Sequence, residues 1–464
     1  MAESLTGSLS MGPSALDAPE LLVPIDPLRR TFAFTKGEEV SFEKYLQDAG
    51  LVLDCIGMES RLLLECRDRY NFAVALMATI VDSKSLVLPP DQGRMTRREI
   101  ESANPGLKAI QDVDLEKWLS RSGPPRLSRT SAHVIEEMRS SNKIAVVTYT
   151  SGTSGVPKPY QKTPVTLSQS AALIDYFLGG VSGVRIVATV PPQHMYGLET
   201  SVLLPLYRGG VLDGRWPFFP ADIVSALEDG PGPVSLITTP FHLSALLRDH
   251  SLTMPPVRFV VSATAPLERD LAIEAERRFS APLLEIYGCT ELGSIAGRRP
   301  SVSEEWAWFD GVSGSQQGDR TLISARHVPD VISEADLIQS CADGRFILRG
   351  RQSDLVNVAG KRTSLGYLER QALRVEGILD IVFLQHPCSQ NGVERLGAIV
   401  TTSSRLSVSA IRALLGEALD PVFVPRTILI VDRIPRDRIG KISRKDLIDM
   451  LWKKADADGE TDRS

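Results

Sequence analysis

The chain is short of basic charge: 52 lysines and arginines stand against 57 aspartates and glutamates in 464 residues, a formal net charge of −5. Binding nucleic acid by neutralising phosphates needs a basic surface, so this balance argues against that class. Long apolar runs are missing as well. None approaches the roughly 18 residues that cross a bilayer, so no stable membrane insertion is expected. Cysteine is scarce, and Cys55, Cys66, Cys289, Cys341 and Cys388 are scattered and free of CxxC pairs. That pattern fits reduced thiols in the cytoplasm better than a disulfide framework or a zinc site. The opening stretch MAESLTGSLSMGPSALDAPE has neither the basic start nor the apolar core of a secretory signal and reads as a flexible leader. What remains is ordinary globular material, 43% hydrophobic and 23% charged. Its length is enough for about three domain-sized units of roughly 150 residues.

From Ile144 onward, short β-branched runs alternate with amphipathic stretches. Residues 144–150 (IAVVTYT) read as a buried strand. Thr163-Pro164 reads as an N-cap with proline in the first helical turn, where the missing N–H costs nothing. Leu167, Ala171, Ile174 and Leu178 then follow at helical spacing. Further strands are expected over 185–190, 234–239, 257–262 and 283–287. Helices are expected over 198–207, 221–229, 241–249 and 267–279, with Pro220, Pro240 and Pro266 at or near three of the starts. The rhythm predicts an α/β fold of helix-covered sheets. Residues 306–350 are turn-rich and predict an antiparallel β subdomain. From Arg351 a smaller α+β unit follows, with strands over 381–384 and 427–431 and helices over 409–419 and 443–453. The expected division is a large N-terminal domain, 1–350, and a small mobile C-terminal domain, 351–464.

The most informative stretch is TSGTSGVPK (150–158), directly after the first of these strands. Gly152 and Gly155 let backbone N–H groups approach a ligand, Thr150, Ser151, Thr153 and Ser154 add hydroxyls, and Lys158 adds a point charge. Together they suit a polyphosphate, although composition alone favours a flexible Ser/Gly loop. A Walker A loop is excluded, because Gly360-Lys361 and Gly440-Lys441 have Leu355 and Pro435 where its first glycine belongs.

TSGTSGVPK closely resembles the phosphate loop of the AMP-forming acyl/aryl-CoA synthetase and adenylation-domain (ANL) superfamily. Four more stretches follow in that family's order: VPPQHMYGLE (190–199), YGCTE (287–291), GRQSDLVNVAGKRTSLGYLE (350–369) and IPRDRIGKISR (434–444). The resemblance implies a reaction in which a carboxylate attacks Mg-ATP to give an acyl-adenylate, after which a thiol displaces AMP. It implies that Tyr287 stacks on adenine, Gly288 adjoins it, Thr290 meets the phosphate, and Glu291 holds Mg²⁺ together with Thr150. Asp336 and Arg351 correspond to residues that contact the ribose, with a surface turn as the bland reading of Asp336. Lys441 corresponds to the lysine that brings carboxylate and α-phosphate together, and a cation there stabilises the transition state. His194, Tyr196, Gly197, Ala263 and Gly288 are the candidates for the acid pocket, with Gly197 letting the backbone approach the substrate. The other histidines, 133, 242, 250, 327 and 386, read as structural. Ser353 stands at the family's hinge position, usually Asp or Lys, with Asp354 beside it, and Gly360 lies in the loop implied for the thiol step.

The sequence also departs from the family. Pro159, Tyr160 and Pro164 occupy a stretch that normally continues Gly-Val with a later His, and the region before Ile144 is short. That shortened N-terminus, with LLLECRDRYNFAVALMATIVDSKSLVLPP, is similar to ligases of aryl-polyene and xanthomonadin-type pigment pathways. The likeness implies an aromatic acid, such as 4-hydroxybenzoate or a hydroxycinnamate, passed to CoA or to the phosphopantetheine thiol of an acyl carrier protein. A fatty acyl ligase and a catalytically silent binding protein of the same fold are the alternatives. A serine hydrolase lacks its G-x-S-x-G elbow here.

Overall fold

The computed structural model describes residues 28–89, 94–121, 138, 140–150, 158–318, 320–334, 336–351, 354–358, 361–385, 396–403, 406–436 and 442–457. The chain forms two compact units, Met1–Ser313 with Ser324–Ile332, and Gly314–Ile323 with Ser333–Ser464. The boundary expected at 350/351 falls inside the second of them.

In the first unit, β1 (Thr31–Thr35) and β2 (Glu38–Ser41) form a hairpin. They are followed by β3 (Arg61–Leu64), β4 (Ser85–Leu88), β5 (Lys108–Ile110), β6 (Val146–Thr150) and β7 (Lys158–Lys162). The last five make one sheet in the order β5-β3-β4-β6-β7. It is parallel except for β7, which turns back antiparallel on β6. A second sheet takes β8 (Arg185–Ala188), β9 (Val211–Asp213), β10 (Val234–Thr238), β11 (Val260–Ser262), β12 (Leu283–Cys289), β13 (Gly293–Arg298) and β14 (Ala307–Trp308). Its order is β14-β13-β12-β11-β10-β8-β9-β1-β2. The run from β12 to β9 is parallel. Strands buried on both faces read as continuous apolar runs rather than alternations, and β8 and β10 are buried at every position. Val187, Leu236, Val260 and Leu283 pack against Ile223, Leu243, Leu246, Ala272 and Phe279 of the helices that cover one face.

The helix Pro164–Phe177 starts as its sequence requires: Thr163 caps it in a reciprocal pair with Thr166, and Pro164 takes the first turn. Pro220 and Pro240 also take the first turn of their helices, the second of which is capped by Thr239. Pro266 instead lies ahead of a helix that begins at Arg269. The helix expected over 198–207 is broken in three. An α-turn at Met195–Leu198 leads into a π-turn at Glu199–Leu203, and α-helix resumes at Leu204–Arg208. Pro205 has no N–H to return to Ser201, so the regular ladder cannot pass this point.

The chain goes on through β15 (Val312–Gln317), β16 (Arg320–Ala325) and β17 (Val328–Glu334), a three-stranded sheet, and the second unit then holds the hairpins β18 (Asp336–Ser340) with β19 (Phe346–Arg351) and β20 (Leu355–Val358) with β21 (Lys361–Ser364). It ends in a sheet of β22 (Ile378–Gln385), β23 (Leu396–Thr402) and β24 (Thr427–Ile430). Side chains alternate across β22. Ile381 and Phe383 join a cluster with Leu368, Ile411 and Leu415, while Val382 and Leu384 join Leu447 and Leu451 of the last helix. This sheet is therefore covered on both faces.

Arg185 and Asp213 form a buried pair at 2.6 Å, 1% and 0% exposed, and Arg185 also donates to the Ala226 and Leu227 carbonyls. Removing one partner strands the other charge in the core. Asp213→Ala should therefore cost about 3–5 kcal/mol in a urea-unfolding measurement, and a loss below about 1 kcal/mol, the range of an exposed pair, would contradict this picture.

Candidate functional site

Because β8, β10, β11 and β12 run parallel, the connections leaving them all emerge at one edge of the sheet. The chain passes from β8 to its neighbour β9 on one side and then returns to β10 on the other. In open parallel sheets such a reversal leaves a crevice beyond the carboxyl ends of the strands, where ligands bind. The segment that leaves β8 here is VPPQHMYGLE.

Side chains from several elements fasten this edge. The fully buried Arg69 donates to the carbonyls of Ala188 and Val190, at 3.1 and 2.9 Å. Gln193 donates to the Cys66 carbonyl. The Tyr196 hydroxyl lies 3.1 Å from the Thr238 carbonyl and 3.0 Å from that of Val261, so one proton is shared between the ends of β10 and β11. The Thr189 and Thr238 hydroxyls meet at 3.1 Å, and the Trp216 indole N–H donates to the Thr189 carbonyl. His194 is the N-cap of the α-turn and Ala263 is buried just beyond β11. A Cβ on Gly197 would stand 2.1 Å from the Pro191 carbonyl oxygen, so the close approach at this glycine is made by the segment folding back on itself.

On β12, Tyr287 is buried and meets Trp306 edge to face at 5.8 Å. The pairing of β12 with β13 shifts register between Tyr287 and Gly288. A Cβ on Gly288 would come within 2.3 Å of the Gly293 carbonyl oxygen, so this turn closes only around glycine. Thr290 and Glu291 sit half-exposed at its tip. The Lys162 ammonium, at the end of β7, donates to the Glu291 carbonyl and brings the other sheet's edge to the same turn. At the start of β7 the exposed Lys158 pairs with Thr150 across the ladder, so β6 and β7 bracket the intervening Ser/Thr/Gly segment. Ser151, Gly152, Thr153, Ser154 and Gly155 lie outside the described residues.

The segments 190–199 and 287–291 lie at this sheet edge, and the profile of the AMP-binding enzyme family matches residues 73–314. The chain belongs to this family. It is 27% identical over 344 residues to a sulfoacetate–CoA ligase of Cupriavidus necator, covering 66% of each chain. It is 28% identical over 303 residues to a 4-coumarate–CoA ligase of Halorhodospira halophila, covering 63% of this chain and 73% of the relative. The chain thus spans about two thirds of the length of these curated relatives. In fold it matches the anthranilate CoA ligase AuaEII, whose structure holds anthranoyl-AMP, with a TM-score of 0.76 at 17% identity, covering 92% of this chain and 95% of that one.

In the second unit of this AMP-binding enzyme, Asp336 and Arg351 are direct cross-strand partners on β18 and β19. Asp336 is 8% exposed within a strand, which overturns the surface-turn reading. Ser353, Gly360 and Lys441 lie outside the described residues. Two of the unassigned histidines are core residues. Burial pushes His242 down to about 4, its Nδ1 lying 2.9 Å from the Thr239 hydroxyl, and it likewise lowers His327, whose Nε2 lies 2.9 Å from the Leu292 carbonyl. No helix among the described residues is long and apolar enough to cross a membrane.

Sequence reasoning passed over Arg69, Lys162 and Glu199. The signal for Glu199 was a lone carboxylate in the apolar run LETSVLLPL. Burial raises the pKa of Glu199 and lowers that of Lys162, and each group's charge opposes the other's shift.

Gly288→Ala forces a methyl group onto the facing carbonyl, so it should lower nucleotide-dependent turnover by about tenfold or more, roughly 1.4 kcal/mol of lost transition-state stabilisation. Steady-state kinetics alongside a melting curve would check this, and unchanged turnover would show that the turn tolerates opening.

Proposed function

We propose that this AMP-binding enzyme is an acid–thiol ligase with two half-reactions. A small carboxylic acid attacks the α-phosphorus of ATP, releasing pyrophosphate and forming an acyl-adenylate, and a thiol then attacks the acyl carbon and releases AMP. The observation that supports this best is the convergence of 190–199, Ala263 and 287–291 at one parallel-sheet edge, joined through Lys162 to the strand that leaves the Ser/Thr/Gly segment.

In this reading Tyr287 and Gly288 receive the adenine, and Thr290, with the hydroxyls of 150–154 and Lys158, receives the phosphates. Glu291 and Thr150 offer hard oxygens of the kind that suit Mg²⁺, which would neutralise charge on the phosphates. Asp336 and Arg351, paired across a hairpin, would take the ribose hydroxyls. His194 and Tyr196 would border the acid. Lys441 would be carried in by the smaller unit for the first half-reaction, and the Gly360 loop for the second, about a hinge at Ser353 or Asp354. Each step needs a charge arrangement that the other does not.

An aromatic acid is favoured by the aromatic side chains at the edge, Tyr196, Trp216 and Phe218, and by relatives named for 4-coumarate and anthranilate. The thiol is CoA or, in a pigment-type pathway, the phosphopantetheine arm of an acyl carrier protein. A cytoplasmic setting fits Cys55, Cys66, Cys289 and Cys341, none of which forms a disulfide among the described residues.

Acid-dependent ATP–pyrophosphate exchange should appear with benzoates or hydroxycinnamates and be weak with medium-chain fatty acids. Lys441→Ala should reduce it by about 10²–10³, the range for removing a charge that stabilises a developing anion. Exchange with fatty acids alone would move the assignment to the aliphatic reading, and none with any acid would overturn it.

A further inference from the structure

We infer that Lys162 and Glu199 are positioning residues that together hold the turn carrying Thr290 and Glu291 in place for the nucleotide step. This rests on the proposed ligase reading. The grip itself is structural: each residue from Glu291 to Ser294 is met by a buried side chain. Lys162 donates to the Glu291 carbonyl, and the His327 ring reaches the Leu292 carbonyl at 2.9 Å. Glu199 accepts from the Ser294 amide at 3.1 and 3.2 Å and from the Ser294 hydroxyl at 2.6 Å, with Ser170 donating to its other oxygen. Gly293, at φ +79°, leaves no room for a side chain, since a Cβ would lie 2.3 Å from Glu199 Oε1.

The cost of this arrangement argues that it is used. Lys162 and Glu199 are 5% and 1% exposed, and each ion gives up its hydration to hold one short turn. A tight hairpin turn can be closed by its own backbone with suitable small residues, so chain reversal alone does not require two buried charges. Their positions add to the case. Lys162 lies four residues beyond Lys158 on the strand that leaves the Ser/Thr/Gly segment, and Glu199 opens the π-turn five residues beyond His194. The pair therefore ties the nucleotide turn to the strand β7 on one side and to the segment 190–199 on the other. That link would keep Thr290 and Glu291 in register with both substrates when the acid's oxygen attacks phosphorus.

The test compares Lys162→Met, Glu199→Gln and the double variant with the wild-type full chain. Acid-dependent ATP–pyrophosphate exchange and amide hydrogen exchange over 290–294 are the readouts. The expected result is a kcat lowered about 30-fold or more with the KM for the acid within about threefold, the pattern of an interaction realised in the transition state. The double variant should fall no further than the worse single one, since both hold one turn, and amides 291–294 should exchange faster in each. Glu199→Gln keeps the shape of the side chain, so it carries the comparison if Lys162→Met does not fold. Folded variants with wild-type kcat would overturn the inference, as would a kcat and KM that change together. Should the wild-type chain show no exchange, the ligase reading fails on its own account. The grip is then judged by amide protection alone, and unchanged protection at Ser294 would refute it.

Discussion

A strand that runs parallel to its neighbours hands the chain over at the same edge each time, and this constraint organises the whole first unit. From β8 to β12 the helices must return the chain to the opposite edge, so every segment following a strand is delivered to one side. Residues 190–199, 239–242, 263 and 288–291 are far apart in sequence and close in space for this reason alone. The reversal at β8 opens a crevice on that side. The chemistry proposed for the protein is a consequence of where parallel strands end.

Such an edge is rich in backbone groups and loops, and buried polar side chains stiffen it. Arg69 closes the end of β8, and Tyr196 bridges β10 and β11. Under the turn at 288–291, Glu285 accepts from the Leu267 amide and pairs with Arg298, yet burial still pushes its carboxyl up to about 7. Arg298 lies over the Trp306 ring at 4.6 Å, and Trp306 meets Tyr287 edge to face. Contacts thus run continuously from a buried carboxylate to the ring proposed to receive adenine. Rigid support of this kind allows short loops to hold a charged ligand without reorganising around it.

The parts of the fold readable from sequence are those set by local chemistry. Thr163-Pro164 announces its helix because cap and first-turn proline act within a few residues, and Pro220 and Pro240 do the same. The central strands of the second sheet show as largely apolar runs because burial on both faces favours apolar side chains at most positions. Non-local features were hidden. That Asp336 sits in a strand opposite Arg351, and not in the surface turn that was its bland alternative, depends on a hairpin, and the π-turn depends on how Pro205 interrupts a ladder that propensity would continue. The candidate site was readable as ordered motifs, with residue types suited to phosphate, adenine and acid. The residues that brace it were harder to read: Lys162 looks like any surface lysine until distant segments bury it, and Glu199 is marked only by its apolar neighbours in LETSVLLPL. Gly197 was expected to let the backbone approach a substrate, and the close approach present in the structure is to the Pro191 carbonyl.

A single acyl-adenylate site along the carboxyl edge of the β8–β12 sheet, as proposed, must shield all three segments that meet there. Hydrogen exchange of the intact chain with and without a non-hydrolysable aryl-sulfamoyl adenosine measures this. The expected result is simultaneous protection of residues 189–199, 260–264 and 287–294. Protection confined to other segments, with these three unchanged by a tightly bound analogue, would contradict it.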